Sequence, residues 1–334
     1  MKLPRIKFPW KKEKTPQVAD FRVIFMGSGK FAVPVLQDLL NFERLLSAGK
    51  IVLALFSQPD RPYGREKKMA TTPTKEIALK YKVPILEPVK LNEAWAKKIE
   101  GLHPDLIVVC DYGLLIPREI LGIPKFGVIN IHPSLLPKYR GSSPIQQAIL
   151  DGCGKTGVSI ILVDEKLDHG PVLAQKNEKI KNEDTFGSLR DRLAQISGRM
   201  LIDFLPNYLN GKFNPKDQNH KKATITRELS REDGEIKWSR QSDHIERMVR
   251  ALTPWPGCYT RYNNKILKII EIKKCKGCKN AKPGTVFLTK DKEVAINCNK
   301  GAVIIKKLQM EGKKIMTARD FSRGYRDFVG SVLR

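Results

Sequence analysis

Residues 21–40 read FRVIFMGSGKFAVPVLQDLL. The apolar run 21–26 has strand length, it stops at Gly27-Ser28-Gly29, and 32–40 then repeats apolar residues at helical spacing. A buried strand that feeds into a helix, repeated along the chain, implies a parallel sheet with helices on both faces. The alternation continues outward. Strands are predicted at 51–56, 83–86, 106–110 and 127–131, with helical stretches at 74–81 and 93–99 between them. A further strand pair falls at 156–163 and 172–176. A long amphipathic helix follows from 186, with Leu189, Leu193, Ile196, Met200 and Phe204 on one face, and Pro206 stops it. Residues 21–209 thus read as an α/β domain with a Rossmann-like open parallel sheet.

After 209 the pattern changes. Residues 210–228 begin NGKFNPKDQNHKKAT, a polar, basic, turn-rich stretch that reads as a linker. From 229 to 334 one helix is predicted, at 243–252, among five short strands at 259–262, 266–272, 285–289, 293–298 and 302–308. That density of short strands predicts a small OB-like β-barrel. Residues 1–20 form a basic, proline-containing tail. It lacks the apolar core of a secretory signal, and no stretch is long and apolar enough for a membrane span. A cytoplasmic, monomeric protein is the expectation.

Charge narrows the partner. The chain has 61 Lys and Arg against 35 Asp and Glu, and +13 of its net +26 lies in residues 231–334. A clustered positive excess points to a polyanion such as nucleic acid, although solvated surface lysines give the same composition. Six cysteines are present. Only Cys275-x-x-Cys278 is a local pair, and a zinc ribbon needs a second one, so no metal is expected.

Three segments bear on chemistry. Gly27-Ser28-Gly29 follows the first strand as in a dinucleotide site. However, the second strand ends in Phe56-Ser57-Gln58, where a ribose-binding acid would stand. A P-loop also fails, because Phe31 follows Lys30. A tight turn is the simpler reading. Residues 127–144, GVINIHPSLLPKYRGSSP, place Asn130 and His132 two apart at a strand end, hence on one side of the strand. An amide that donates to an oxyanion beside an imidazole that accepts a proton suits acyl chemistry. Asn-x-His alone is a weak signal, and a structural role accounts for it more readily. Residues 167–171, LDHGP, read as a tight loop at a strand end, where Asp168 can meet His132 and orient its ring or simply cap the turn. Asp164 and His169 read as structural or solvent-facing. No Gly-x-Ser-x-Gly elbow offers a nucleophile.

Taken together, Asn130, His132, Ser134-Leu135-Leu136-Pro137 and, 36 residues past the histidine, Asp168 in Leu-Asp-x-Gly resemble the formyltransferases that use 10-formyltetrahydrofolate. The resemblance spans about residues 21–330. It implies catalytic positions at Asn130, His132 and Asp168. It also implies a folate-contacting loop at Ser134, Leu135, Leu136 and Pro137, and a pterin-lining segment at Tyr112, Gly113, Leu114, Leu115 and Ile116. The run 58–68, QPDRPYGREKK, resembles the basic loop by which one branch of that family enters a tRNA acceptor arm, and it implies tRNA contacts at Arg65, Lys67 and Lys68. Segments 229–238, 254–257 and 308–321 resemble that branch's C-terminal domain. Its acceptor is methionyl initiator tRNA, and its formyl donor is 10-formyltetrahydrofolate. A small amino acceptor, such as an amino-sugar nucleotide, is the alternative. A tRNA-binding protein without activity would leave the three site residues coincidental. Gly27-Ser28-Gly29-Lys30 and His169 depart from the family pattern.

Overall fold

The computed structural model describes residues 21–45, 51–63, 68–277 and 281–334. The basic tail 1–20 lies outside them. The chain runs β1 (Val23–Met26), α1 (Ala32–Leu45), β2 (Val52–Phe56), β3 (Arg61–Tyr63), β4 (Lys68–Ala70), α2 (Pro73–Tyr81), β5 (Ile85–Leu86), α3 (Glu93–Gly101), β6 (Leu106–Val109), α4 (Arg118–Leu121), β7 (Val128–His132), β8 (Arg140–Gly141), α5 (Pro144–Leu150), β9 (Lys155–Leu162), β10 (Val172–Lys179), α6 (Phe186–Leu209) and β11 (Ile225–Thr226). It continues α7 (Ser242–Leu252), β12 (Cys258–Tyr262), β13 (Lys265–Cys275), β14 (Val286–Leu288), β15 (Val294–Asn297), β16 (Ala302–Met310), β17 (Met316–Thr317) and α8 (Ala318–Gly324). Two units result. The first holds the described residues through Gly141 with Thr156–Glu178 and Arg190–Ile225; the second holds Ser142–Lys155, Lys179–Leu189 and Thr226–Arg334. No described helix is long and apolar enough to cross a membrane.

The first unit is built on a seven-stranded sheet of order β10-β9-β7-β6-β1-β2-β5. The strands β7, β6, β1, β2 and β5 are parallel. One face packs Ile24, Met26, Phe56 and Ile107 against Ala96 and Ile99 of α3. Each such large apolar side chain contributes about 1.5–3 kcal/mol on burial. Helix starts follow local chemistry: Pro73 and Pro144 stand in the first turns of α2 and α5, and Asn92 accepts from Trp95 N to cap α3. On α6, a Cβ at Gly198 would fall 3.0 Å from the Pro34 carbonyl, so glycine lets α6 approach α1.

Three features differ from the sequence expectation. The strand β9 runs antiparallel to β7, pairing Asn130 with Ile161 and His132 with Ser159. The sheet is therefore mixed rather than wholly parallel. The helix α6 also passes Pro206 and ends at Leu209. Proline removes a single backbone donor, and Tyr208, fully buried, holds the last turn through a 2.6 Å bond from its hydroxyl to Phe126 O. Finally, β3 and β4 form a small antiparallel hairpin that the sequence did not announce.

In the second unit, β12-β13-β16-β15-β14 form an antiparallel sheet with β17 on β16, six strands where five were expected. The long β13 shifts register around Glu271, which bends it. Ile245, Met248, Val249 and Leu252 give α7 one buried face, and it packs on β13. The last residues close the edges. Arg261 N of β12 donates to Arg334 O, and Val286 N of β14 donates to Ser331 O. The sheet is thus a curled half-barrel.

Candidate active site

Parallel order puts the ends of β1, β2, β6 and β7 along one rim, where open α/β sheets bind ligands. At the β1 end the amides of Ser28 and Gly29 both donate to Asp111 O, at 2.9 and 3.1 Å. An Asp111 carboxylate oxygen accepts from Phe31 N at 3.2 Å, at the start of α1. A Cβ on Gly29 would lie 1.8 Å from Asp111 Oδ2. The amides that would cradle a phosphate are therefore already bonded to the chain's own residue, so the tight-turn reading holds.

At the β7 end, Asn130 and His132 emerge on one side, as alternation requires. The antiparallel run of β9 starts the loop 163–171 beside Val128, whose carbonyl accepts from Val163 N. The loop then folds back across β7, which the expectation of a tight strand-end loop did not foresee. It brings Asp168 Oδ1 to 3.1 Å from Asn130 Nδ2 and Asp168 Oδ2 to 3.5 Å from His132 Nδ1. His132 and Asp168 are 4% and 8% exposed, so water screens an electrostatic interaction between them little.

Hydrogen-bond directions fix the site's chemistry. A carboxylate accepts only, so Asn130 turns its NH2 toward Asp168 and keeps a second N–H to donate. His132 Nε2 lies 2.8 Å from Tyr139 O. A carbonyl cannot donate, so Nε2 carries a proton and Nδ1 is the nitrogen that can take one up. The 3.5 Å separation from Asp168 exceeds a good hydrogen bond. The tighter partners of Asp168 are Asn130 and the amide of Gly141, which donates to Oδ2 at 2.8 Å. Asp168 thus orients Asn130, whereas the Tyr139 carbonyl orients the imidazole. Tyr139 and Asp168 both hold positive φ, at 61° and 48°. Such backbone strain in a non-glycine residue, about 1–3 kcal/mol, is common at functional sites.

The segment after His132 is held from beneath. Ser159 Oγ donates to Ser134 O at 2.6 Å and accepts from Leu136 N, while Gln175 Nε2 donates to Leu136 O. Ser134 and Leu136 are buried, whereas Leu135 and Pro137 are half-buried. In the other expected segment, Tyr112 is buried in the core with Leu114 and Ile116 packed beside it, Gly113 is open, and Leu115 is 81% exposed. Open backbone and an exposed apolar side chain at the β6 end, one strand from Asn130, suit a flat heteroaromatic ring with amide-like edges. Lys68 opens β4; Arg65 and Lys67 lie outside the described residues, as does Cys278. Among the described residues no His, Cys, Asp and Glu cluster could hold a metal ion.

Sequence reading missed Tyr139, Gly141, Ser159 and Gln218, whose contacts come through backbone atoms or from distant residues. It also set aside His169 and Asp164. In the structure His169 Nδ1 lies 2.6 Å from Asp164 Oδ2, and the His169 ring stacks on His220 at 4.1 Å.

The fold and the site together define a formyl-transferring protein. Residues 21–205 match the formyl transferase family model and 228–326 match the formyl transferase C-terminal domain, so the chain belongs to that family. Among similar proteins, the methionyl-tRNA formyltransferase of Bacillus licheniformis is 41% identical, covering 91% of this chain and 95% of that protein. That of Caldanaerobacter subterraneus is 38% identical over 94% of this chain and all of that protein. A solved N-formyltransferase from Helicobacter canadensis, in complex with folinic acid and dTDP-3-aminofucose, superposes with a TM-score of 0.61 at 17% identity, covering 85% of this chain and 98% of that one, and shares the fold.

Proposed function

We propose that this chain transfers the formyl group of 10-formyltetrahydrofolate to the α-amino group of methionyl initiator tRNA. The convergence of Asn130, His132 and Asp168 carries the reading. The name borne by relatives of 37–41% identity supports the acceptor. Residues 21–209 hold the transfer chemistry, 210–228 join this part to the next while packing along the site, and 229–334 grip the tRNA. Residues 112–116 and 134–137 receive the folate, and Arg65, Lys67 and Lys68 meet the acceptor arm. The protein works in the cytoplasm as a monomer.

The folate supplies a formyl carbon held on N10. The attacking amine forms the new C–N bond, the bond to N10 breaks, and the amine's proton reaches N10 by way of His132 Nδ1. The free N–H of Asn130 donates to the developing oxyanion. Asp168 holds Asn130 in register and stabilises the imidazolium across 3.5 Å. The test is formylation by the purified chain with 10-formyltetrahydrofolate and charged initiator tRNA, beside uncharged tRNA. Transfer to the charged form alone is expected. Transfer to an amino-sugar nucleotide, with none to charged tRNA, would sink the reading.

A further inference from the structure

Asp168 sits at positive φ in a loop that doubles back over β7, so something must fix its orientation. The loop's underside is pressed on β9: a Cβ at Gly170 would fall 1.9 Å from Leu162 O. Two of its carbonyls meet one buried side chain. Gln218 Nε2 donates to Asp168 O at 2.9 Å and to Gly170 O at 2.7 Å. Gln218 Oε1 accepts from Arg140 Nε at 3.2 Å and from Arg140 Nη2 at 2.8 Å. The residue is 6% exposed, and all the donors and acceptors of its amide are used.

We infer, on the basis of the formyl-transfer reading, that Gln218 is a positioning residue for the transfer, clamping the Asp168 loop so that the carboxylate meets Asn130 and His132. The contacts form a closed circuit. Arg140, bound by Gln218, is followed by Gly141, whose amide grips Asp168 Oδ2. One network therefore holds Asp168 both by its backbone and by its carboxylate. The Arg140 backbone is fixed in turn, since its amide donates to Thr224 O. The stretch 216–224 that read as linker thus forms the outer wall of the site. At one end Lys216 exchanges two backbone bonds with Val172; at the other, Thr224 Oγ1 accepts from Tyr139 N.

Only glutamine satisfies the geometry. Glutamate keeps one oxygen as the acceptor for Arg140 but turns the other on two carbonyls. Methionine keeps the length and loses every polar contact. A misplacement of about 1 Å at a reacting group can lower turnover by about 100-fold. The experiment compares wild type, Gln218→Glu and Gln218→Met in steady-state formylation of charged initiator tRNA, with melting curves for each. Expected is a fall in kcat of about 10- to 100-fold at a temperature well below each variant's own melting midpoint, with KM for both substrates close to wild type. Gln218→Glu serves should Gln218→Met fold poorly. Variants that keep more than half the wild-type kcat would overturn the inference. So would a loss confined to KM, or one that vanishes when each variant is assayed well below its melting midpoint, since that marks a merely structural role. A wild type inactive on charged tRNA would instead overturn the activity reading, and this inference with it.

Discussion

At the scale of single residues the site divides its labour. In the proposed transfer Asn130 donates to the oxyanion, His132 carries the proton on Nδ1, and Asp168 positions and stabilises. Asn130→Ala removes an oxyanion donor, and kcat is expected to fall by about 100- to 1,000-fold in single-turnover formylation, with the melting midpoint unchanged. Full activity would remove Asn130 from the chemistry. Thiols offer an independent check on burial, which pushes Cys258 and Cys298 up to about 12. At pH 8 only about one in 10,000 of such thiols is ionised. Iodoacetamide is therefore expected to leave both unmodified in native protein and to label them after denaturation, read by mass spectrometry. His220 gives a pH signature. Local desolvation of this surface ring, then His169 and Arg140, lower it from the ordinary 6.5, and its Nδ1 accepts from Arg140 Nη2, which requires the neutral ring. A base depressed in the fold contributes stability that is full above 6.5 and is lost as pH falls through the folded value. Melting of wild type and of His220→Gln, whose amide oxygen accepts at any pH, is expected to diverge only on the acid side. Strand alternation places Asn130 and His132 on one side, but alternation and the turn motif alone leave a structural role open for them and for Asp168; the resemblance to the formyltransferases is what singles the three out in the sequence. Gln218 is not legible there, because a polar stretch has no periodicity and its partners on the loop lie 50 and 48 residues away.

At the scale of elements, the parallel core is legible because strands buried on both faces spell out continuous apolar runs. The antiparallel β9 is not, since its apolar run matches that of a parallel strand and only pairing reveals its direction. The end of α6 falls beyond the expected stop because the anchoring of Tyr208 outweighs the donor lost at Pro206. Tyr208→Phe keeps the ring packing and removes the hydroxyl bond to the Phe126 carbonyl. A loss of about 1–3 kcal/mol in unfolding free energy is expected by denaturant titration, with turnover retained at room temperature. A neutral result would mean that ring packing alone secures the last turn. In the second unit, the residues that pair with β12 and β14 cover edges that would otherwise be open to intermolecular pairing. Deleting 331–334 is expected to lower the melting midpoint and promote concentration-dependent aggregation, seen by light scattering.

At the scale of the whole molecule, charge and chemistry are separable. If residues 231–334 grip phosphates, the logarithm of tRNA affinity falls linearly with the logarithm of salt concentration, by about 0.7–0.9 per phosphate neutralised. Binding of the folate donor, measured alone, is expected to change far less. Equal salt slopes for both ligands would place the basic excess outside tRNA recognition. The rim itself restricts what else can enter. Asp111 lies with its carboxyl group at the start of α1 and its carbonyl on the amides of Ser28 and Gly29. One residue, through its carbonyl and its carboxylate, thus takes up the amides on which related architectures seat a pyrophosphate. Inhibitors patterned on ATP or NAD find their anchoring amides taken, and a selective compound must instead exploit the rim between the β6 and β7 ends.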